Sequence, residues 1–375
     1  MSITTDSNQS PGAKAIDAAT ADEESAVADV AALVREHARV TWHRIAIVIA
    51  LILLAGVAFV VSTVVGAIDL TPGQVLHGIV DPNGVDKQTH TVIWNLRLPM
   101  AVMAVLIGAS LSFAGAQMQT ILDNPLAEPF TLGISAAAAC GGASAIVLRW
   151  QLLEQPQVNL ALIAWLSAAV ATAIIVVAAV VRGAQSETMV LLGIGMVFFF
   201  QAMLALIQYR SSSEALQQIV FWSMGSLTRA SWQSNAILAG VLAVALPIVS
   251  ALSWRLTALR LGDARAVALG INTSRLRIVV LVVVSLVAAT TVACAGIIGF
   301  IGLVGPHIAR MLVGEDQRYF IPASMASGAA VMCAAHAFSL LIKPGLAIPI
   351  GIVTSLLGVP FFIAIVMTRR RTVWT

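Results

Sequence analysis

The chain has 375 residues, of which 59% are hydrophobic and 10% charged, with a formal net charge of +3. A soluble domain carries about 25% charged residues and about 45–50% apolar ones, so most of this surface must meet lipid or protein rather than water. The small net charge and the lack of a basic patch interleaved with aromatics argue against nucleic acid as a partner. Cys140, Cys294 and Cys333, each alone in an apolar run, argue against a disulfide framework or a metal site.

Residues 1–42 are rich in Ala, Ser, Asp and Glu (Asp17, Asp22, Glu23, Glu24, Asp29) and hold too little aliphatic surface to fold alone. They predict a mostly disordered cytoplasmic tail, with Ala26 to Val40 as a helix-forming stretch. No basic region and short apolar core begin near Met1, so the first apolar run is expected to stay as an anchor rather than be cleaved. A membrane domain over 43–371 follows, and 372–375 form a short cytoplasmic tail. A span needs about 20 mainly apolar residues. Ten candidates run roughly over 45–67, 97–118, 130–148, 159–181, 188–207, 234–254, 277–297, 299–313, 322–342 and 348–367. The eighth is short and carries Gly302, Gly305 and Pro306. Broken backbone of that kind survives at membrane depth only where protein buries it or water lines it.

Positive residues accumulate on the cytoplasmic side of short loops. Arg35, Arg39 and Arg44 precede the first span, and Arg369, Arg370 and Arg371 follow the last, which favours an even number of crossings with both termini inside. Arg255, Arg260, Arg265, Arg275 and Arg277 place the 255–277 loop in the cytoplasm. The 208–233 loop then faces outward, and its Arg210 and Arg229 run against the charge rule.

Four motifs stand out in chain order. Arg97-Leu98-Pro99 leads through Gly108 and Gly115-Ala116-Gln117-Met118-Gln119 into Asn124-Pro125-Leu126-Ala127-Glu128-Pro129. Asn124-Pro125 ends a helix, because the residue before proline is driven out of the helical region. Gln117, Gln119 and Asn124 either satisfy backbone groups near that turn or line a path. The basic loop holds Leu261-Gly262-Asp263-Ala264, then Ala268-Leu269-Gly270, whose last glycine suits a left-handed helix end. Gly296 to Arg310 combines closely spaced glycines with Pro306, His307 and Arg310; the latter two share a helix face and have backbone carbonyls or Asp316 as candidate partners. Near the end stand Pro349-Ile350-Gly351 and Gly358-Val359-Pro360. Phe221 to Leu227 reads as a short re-entrant element at the outer mouth.

These stretches, in this order and spacing, resemble the FecCD/BtuC-type permease family, the membrane subunits of bacterial ABC importers for ferric siderophores, haem and vitamin B12. The resemblance implies an all-α type II importer fold of about ten transmembrane helices in the cell membrane. It implies that Leu261, Gly262, Asp263, Ala264, Ala268, Leu269 and Gly270 belong to two short helices that dock on an ATPase dimer. It makes Gln117, Gln119, Asn124, Pro125, Gly302, Pro306 and His307 candidates for the translocation path or gate. It also implies docking of an extracytoplasmic binding lipoprotein through basic residues. Here the family's second arginine after Arg-Leu-Pro is Met100, and its later Asp, Arg and Glu positions are His336, Leu340 and Ala347. Only Arg97 remains, with Lys343 as a substitute, which favours a heterodimer whose second permease chain supplies the missing charges.

The chain has no Gly-rich loop ending in Gly-Lys-Ser or Gly-Lys-Thr, so ATP and Mg are expected on the partner ATPase, with no cofactor and no catalytic chemistry here. Ferric siderophore is the expected cargo, with haem or cobalamin as alternatives. An ion-coupled secondary transporter is the rival class; such proteins keep ionisable residues inside spans. Only His307, Arg310 and His336 fall within or near predicted spans, and no Asp or Glu is placed at mid-membrane depth.

Overall fold

The computed structural model describes residues 11–66, 68, 70–342 and 348–368. Lys343, Ala347, Arg369, Arg370, Arg371 and the 372–375 tail lie outside the described residues. The chain divides into two units, Met1–Ile47 and Val48–Thr375. All regular structure among the described residues is helical. With no water in a bilayer core, a helix is the element that satisfies its own backbone donors and acceptors.

Helix α1 runs Pro11–Val64, taking in Ala26 to Val40 and the Ala-rich segment before it. Alanine is the strongest helix former, which favours this state over coil. Two short helices, α2 (Pro72–Val80) and α3 (Lys87–Thr91), and a π-helical turn (Val92–Arg97) lead into α4 (Leu98–Ile121). Then come α5 (Ile134–Leu148), α6 (Pro156–Arg182), α7 (Ser186–Tyr209), α8 (Ser213–Ser223) and α9 (Trp232–Ala251). The basic loop holds α10 (Ser253–Leu259) and α11 (Asp263–Ala268). The chain ends with α12 (Thr273–Ala295), α13 (Ile301–Val313), α14 (Gln317–Ile342) and α15 (Ile350–Thr368). Among the described residues seven helical segments are long and apolar enough to cross a membrane, and α5, α13 and α15 supply three shorter apolar helices. Together they occupy the ten predicted spans.

The centre is α4, buried almost end to end, with α12, α13 and α14 around it. Apolar helices gain little from leaving lipid for each other, so close contact depends on small residues. A Cβ on Gly108 would strike the Gly328 carbonyl of α14, and one on Gly115 the Gly302 carbonyl of α13. Ser112 donates to the Ile301 carbonyl at 3.0 Å. Only Met189 and Gly193 of α7 are buried in the single chain, and Leu191, Phe198 and Phe199 stand exposed.

Two details differ from expectation. The interruption near the eighth span does not fall at Gly302–Pro306. It lies upstream over 296–300, where Gly296 has φ 81° and Phe300 φ 67°, and α13 runs helically through Pro306. Proline removes one ladder bond, and a single lost bond is tolerated where another donor takes the freed carbonyl. The third span begins at Ile134, later than its predicted start at 130, because the 122–133 loop continues to Gly133 at φ 76°.

Candidate functional site

The basic loop forms the two short helices that its glycines allow, with Gly262 at φ 94° and Gly270 at φ 80°. Asp263 opens α11 and receives a bidentate pair from Arg277 of α12, Nη1 at 2.9 Å and Nη2 at 2.8 Å. Arg277 is buried, and it also donates to the Ile121 carbonyl at 2.8 Å and the Ala184 carbonyl at 3.1 Å. Arg260, at the end of α10, donates through Nε and Nη2 to Glu315 at 2.9 and 2.6 Å, and through Nη1 to Asp123 at 2.6 Å. These two arginines fasten the short helices to the ends of α4, α6 and α13. Leu261, Val267 and Leu269 remain 53%, 58% and 51% exposed. Ala264 and Gly262 are exposed too, while Ala266 turns inward.

Deeper in the fold, Gln117 and Gln119 are both fully buried and bond across helices. Gln117 donates to Gln317 at 3.1 Å, and Gln317 donates to Thr120 at 3.0 Å. Gln119 donates to the Gly302 carbonyl at 3.4 Å and accepts from Arg310 at 2.6 Å. The Gly302 carbonyl is the one that Pro306, lacking an N–H, leaves without its helical donor. Asn124 instead secures its own turn, its side chain accepting from the Leu126 N–H at 2.9 Å, with Pro125 half-buried beside it. His307 lies edge-on to Phe361 of α15 at 6.5 Å. The carboxylate paired with Arg310 is Glu315, at 2.9 Å, and Asp316 stands 3.7 Å from Arg318.

Sequence reasoning passed over Glu315, Gln317, Thr257, whose hydroxyl accepts from the Gln317 N–H at 3.2 Å, and the burial of Glu128. An acidic Glu315-Asp316 pair on the same side of the membrane as five arginines was the available signal for the first. Glu128, in the 122–133 loop, is buried near Gly302, and burial pushes its carboxyl up to about 7. Two arginines hold Glu315 below the usual carboxylate range: its own desolvation acts upward, and the bonds and charges of Arg260 and Arg310 outweigh it.

On the opposite side, Arg97 is buried and donates to the Val64 carbonyl at 2.7 Å, the Thr63 carbonyl at 3.4 Å and the Ile68 carbonyl. Its guanidinium thus caps the end of α1, so it is not laid out on the surface. Lys343 lies outside the described residues. His336 is buried, with Nδ1 2.7 Å from the Ser62 hydroxyl. Arg229, which ran against the charge rule, clamps the end of α8 to the end of α12: it donates to the Trp222 carbonyl at 3.4 Å and the Ala295 carbonyl at 3.1 Å. The Phe221 to Leu227 element is sewn to both neighbours by backbone bonds, Ser226 N–H to Ala295, Ile350 N–H to Gly225 and Gly351 N–H to Met224. Such a half-buried, carbonyl-bound positive charge records a joint, not a topology. A separate apolar cavity of about 780 Å³ between α6, α9 and α12 involves none of the predicted path residues.

Residues 40–368 match the FecCD transport family. The chain belongs to that family. It is 32% identical to the Fe(3+)-citrate import system permease protein YfmE of Bacillus subtilis, over 86% of this chain and 96% of the relative. It is 34% identical to the hemin transport system permease protein HmuU of Yersinia pestis, over 74% and 84%. A metal-chelate type ABC transporter solved in an inward-facing conformation superposes with TM-score 0.75 at 29% identity, covering 87% of this chain and all of that one. This FecCD-family chain is therefore a multi-pass permease of an ABC importer, the non-catalytic transport component, and its helices have the importer permease fold.

Proposed function

We propose that this permease carries ferric-siderophore chelates inward across the cytoplasmic membrane. A separate ATPase dimer binds ATP and Mg and docks on Leu261, Gly262, Asp263, Ala264, Ala268, Leu269 and Gly270, and a loaded extracytoplasmic binding protein delivers the cargo. Both termini face the cytoplasm, and 1–42 extend there ahead of the membrane domain. The observation that carries this reading is the exposure of Leu261, Val267 and Leu269 on a water-facing, arginine-rich loop. Large apolar side chains in such a place mark a protein contact. Arg260 and Arg277 tie the loop to the membrane helices, which supports a role in passing motion to them.

The long exposed face of α7 supports a second permease chain against it, with the path between the two. A heterodimer fits better than a homodimer, since Arg97 is committed to internal carbonyls and Met100, His336 and Leu340 carry no charge complementary to an acidic binding protein. For the cargo, the iron-citrate relative supports a ferric chelate, and the hemin relative keeps haem as the competing cargo. The test is uptake into proteoliposomes holding the complex from this gene's own cluster, with labelled ferric siderophore, haem and cobalamin compared. ATP-dependent accumulation of the siderophore, indifferent to a dissipated ion gradient, is expected. Accumulation of haem or cobalamin alone refutes the cargo assignment, and gradient-driven uptake without ATP refutes the mechanism.

A further inference from the structure

Helix α13 has the construction of a pivoting rod. It is thirteen residues long and bounded by left-handed joints, Gly296 and Phe300 on one side (φ 81° and 67°) and Gly314 on the other (φ 78°). Only glycine adopts such angles without cost, and Phe300 holds one as a non-glycine, so the joints are set by the surrounding fold. A cavity of about 160 Å³ lies along one face of α13, between Ile301, Val304 and Ile308 and the facing Ala335 of α14 and Leu357 of α15. Protein interiors rarely leave space larger than a water molecule, so this gap gives α13 room to shift against α14 and α15.

The cytoplasmic end of the rod is held by one carboxylate. Glu315, just past Gly314, takes both Nε and Nη2 of Arg260 from α10 and also Nε of Arg310 from α13 itself, all within 2.9 Å. Arg310 continues to Gln119, and Gln119 to the Gly302 carbonyl near the other end of α13. One polar line thus joins α10 to both ends of the rod. Partly exposed ion pairs contribute little net stability, so a fold needing only a fastening gains as much from apolar packing. Ion pairs do fix one geometry over another, and because Glu315 bonds both Arg260 and Arg310, a displacement of Arg260 reaches Arg310 through it.

We propose that Glu315 is the positioning residue that makes α13 follow the α10–α11 helices, so that motion imposed on them swings α13 into its cavity and shifts the mid-fold contact at Gly302. This rests on the permease reading above. It adds the moving part and its lever.

The test uses the complete transporter in proteoliposomes, with chelate uptake and ATP hydrolysis measured together on equal amounts of assembled complex. Glu315→Gln and Arg260→Ala are each expected to lower chelate moved per ATP by about tenfold, within the usual span of coupling factors, while hydrolysis persists. The double variant is expected to be no worse than either single one, because both cut the same link. Ala335→Leu, which fills the cavity and leaves every ion pair in place, is expected to lower uptake per ATP similarly. Normal uptake per ATP in assembled Glu315→Gln, or in assembled Ala335→Leu, overturns the proposal. Ala335→Leu decides alone if the charge variants do not assemble. A parent complex without ATP-driven uptake would instead overturn the permease reading itself, and the lever with it.

Discussion

Replacing Arg277 by Met keeps an unbranched side chain of similar length in a buried slot and deletes every donor. Four bonds disappear: two to carbonyls at 2.8 and 3.1 Å and two to Asp263 at 2.9 and 2.8 Å. The carbonyls of Ile121 and Ala184 lose a charged donor in a dry place, at about 1–1.5 kcal/mol each. Asp263 is 53% exposed, so its carboxylate rehydrates, and the ion pair itself counts for roughly 0–1 kcal/mol. The sum is about 3 kcal/mol, confined to the joint between α11, α12 and the ends of α4 and α6. Hydrogen–deuterium exchange of the detergent-purified protein reads it directly. Protection of the amides of α11 and its flanks is expected to fall by about a hundredfold, with α14 unchanged, as for a local opening. Asp263→Asn is expected to cost less, since the guanidinium keeps both carbonyls. Unchanged protection around α11 in Arg277→Met refutes the view that this arginine fastens the short helices.

Gly115→Val drives a side chain into the Gly302 backbone carbonyl, which has no rotamer with which to yield, and is expected to cost about 3 kcal/mol, read as a lower unfolding temperature in detergent. Gly240→Ala, where an added methyl meets nothing within 4 Å, is the control and is expected to stay within about 0.5 kcal/mol. For Glu128, the folded state raises the carboxyl from 4.5 to about 7 and so binds its proton more tightly than the unfolded state. Its contribution is most favourable below about pH 4.5, declines as pH rises through the window to 7, and levels off above, a total of about 3 kcal/mol. Glu128→Gln is expected to flatten that part of the stability profile and to be the more stable protein at pH 8; an identical slope in both proteins refutes the assignment.

The helices were legible because lipid simplifies the code: apolar length alone marks a span, and ten apolar runs became ten apolar helices. The interruption near the eighth span was legible as an event but not in place. Gly302, Gly305 and Pro306 look like breakers to a reader who sees one helix at a time. In the fold, Gly302 and Gly305 admit α4 and α14 to close contact, and the carbonyl freed by Pro306 is served by Gln119, distant in sequence. The real joints, Gly296, Phe300 and Gly314, are marked by positive φ, and Phe300 carries no sequence signal for a left-handed conformation.

Charges show the same division between what is local and what is shared. Arginine counts single out the 255–277 loop because many residues vote together, yet each arginine's task depends on which carbonyl or carboxylate the fold brings to it. Arg229 and Arg97 both end as clamps on backbone carbonyls, and Arg277 does the same from within the loop that the counting rule identified. Guanidinium suits this work because its five donors lie in a plane and keep their charge when dry. A carbonyl left over at a helix end needs such a donor, and in this chain the ends of α1, α4 and α12 each obtain one. Arginine near a helix end in an apolar chain therefore carries two signals, topology and capping. Burial separates them: Arg277 and Arg97 are buried and cap, while Arg265 and Arg275 stay exposed, the state in which the counting rule applies.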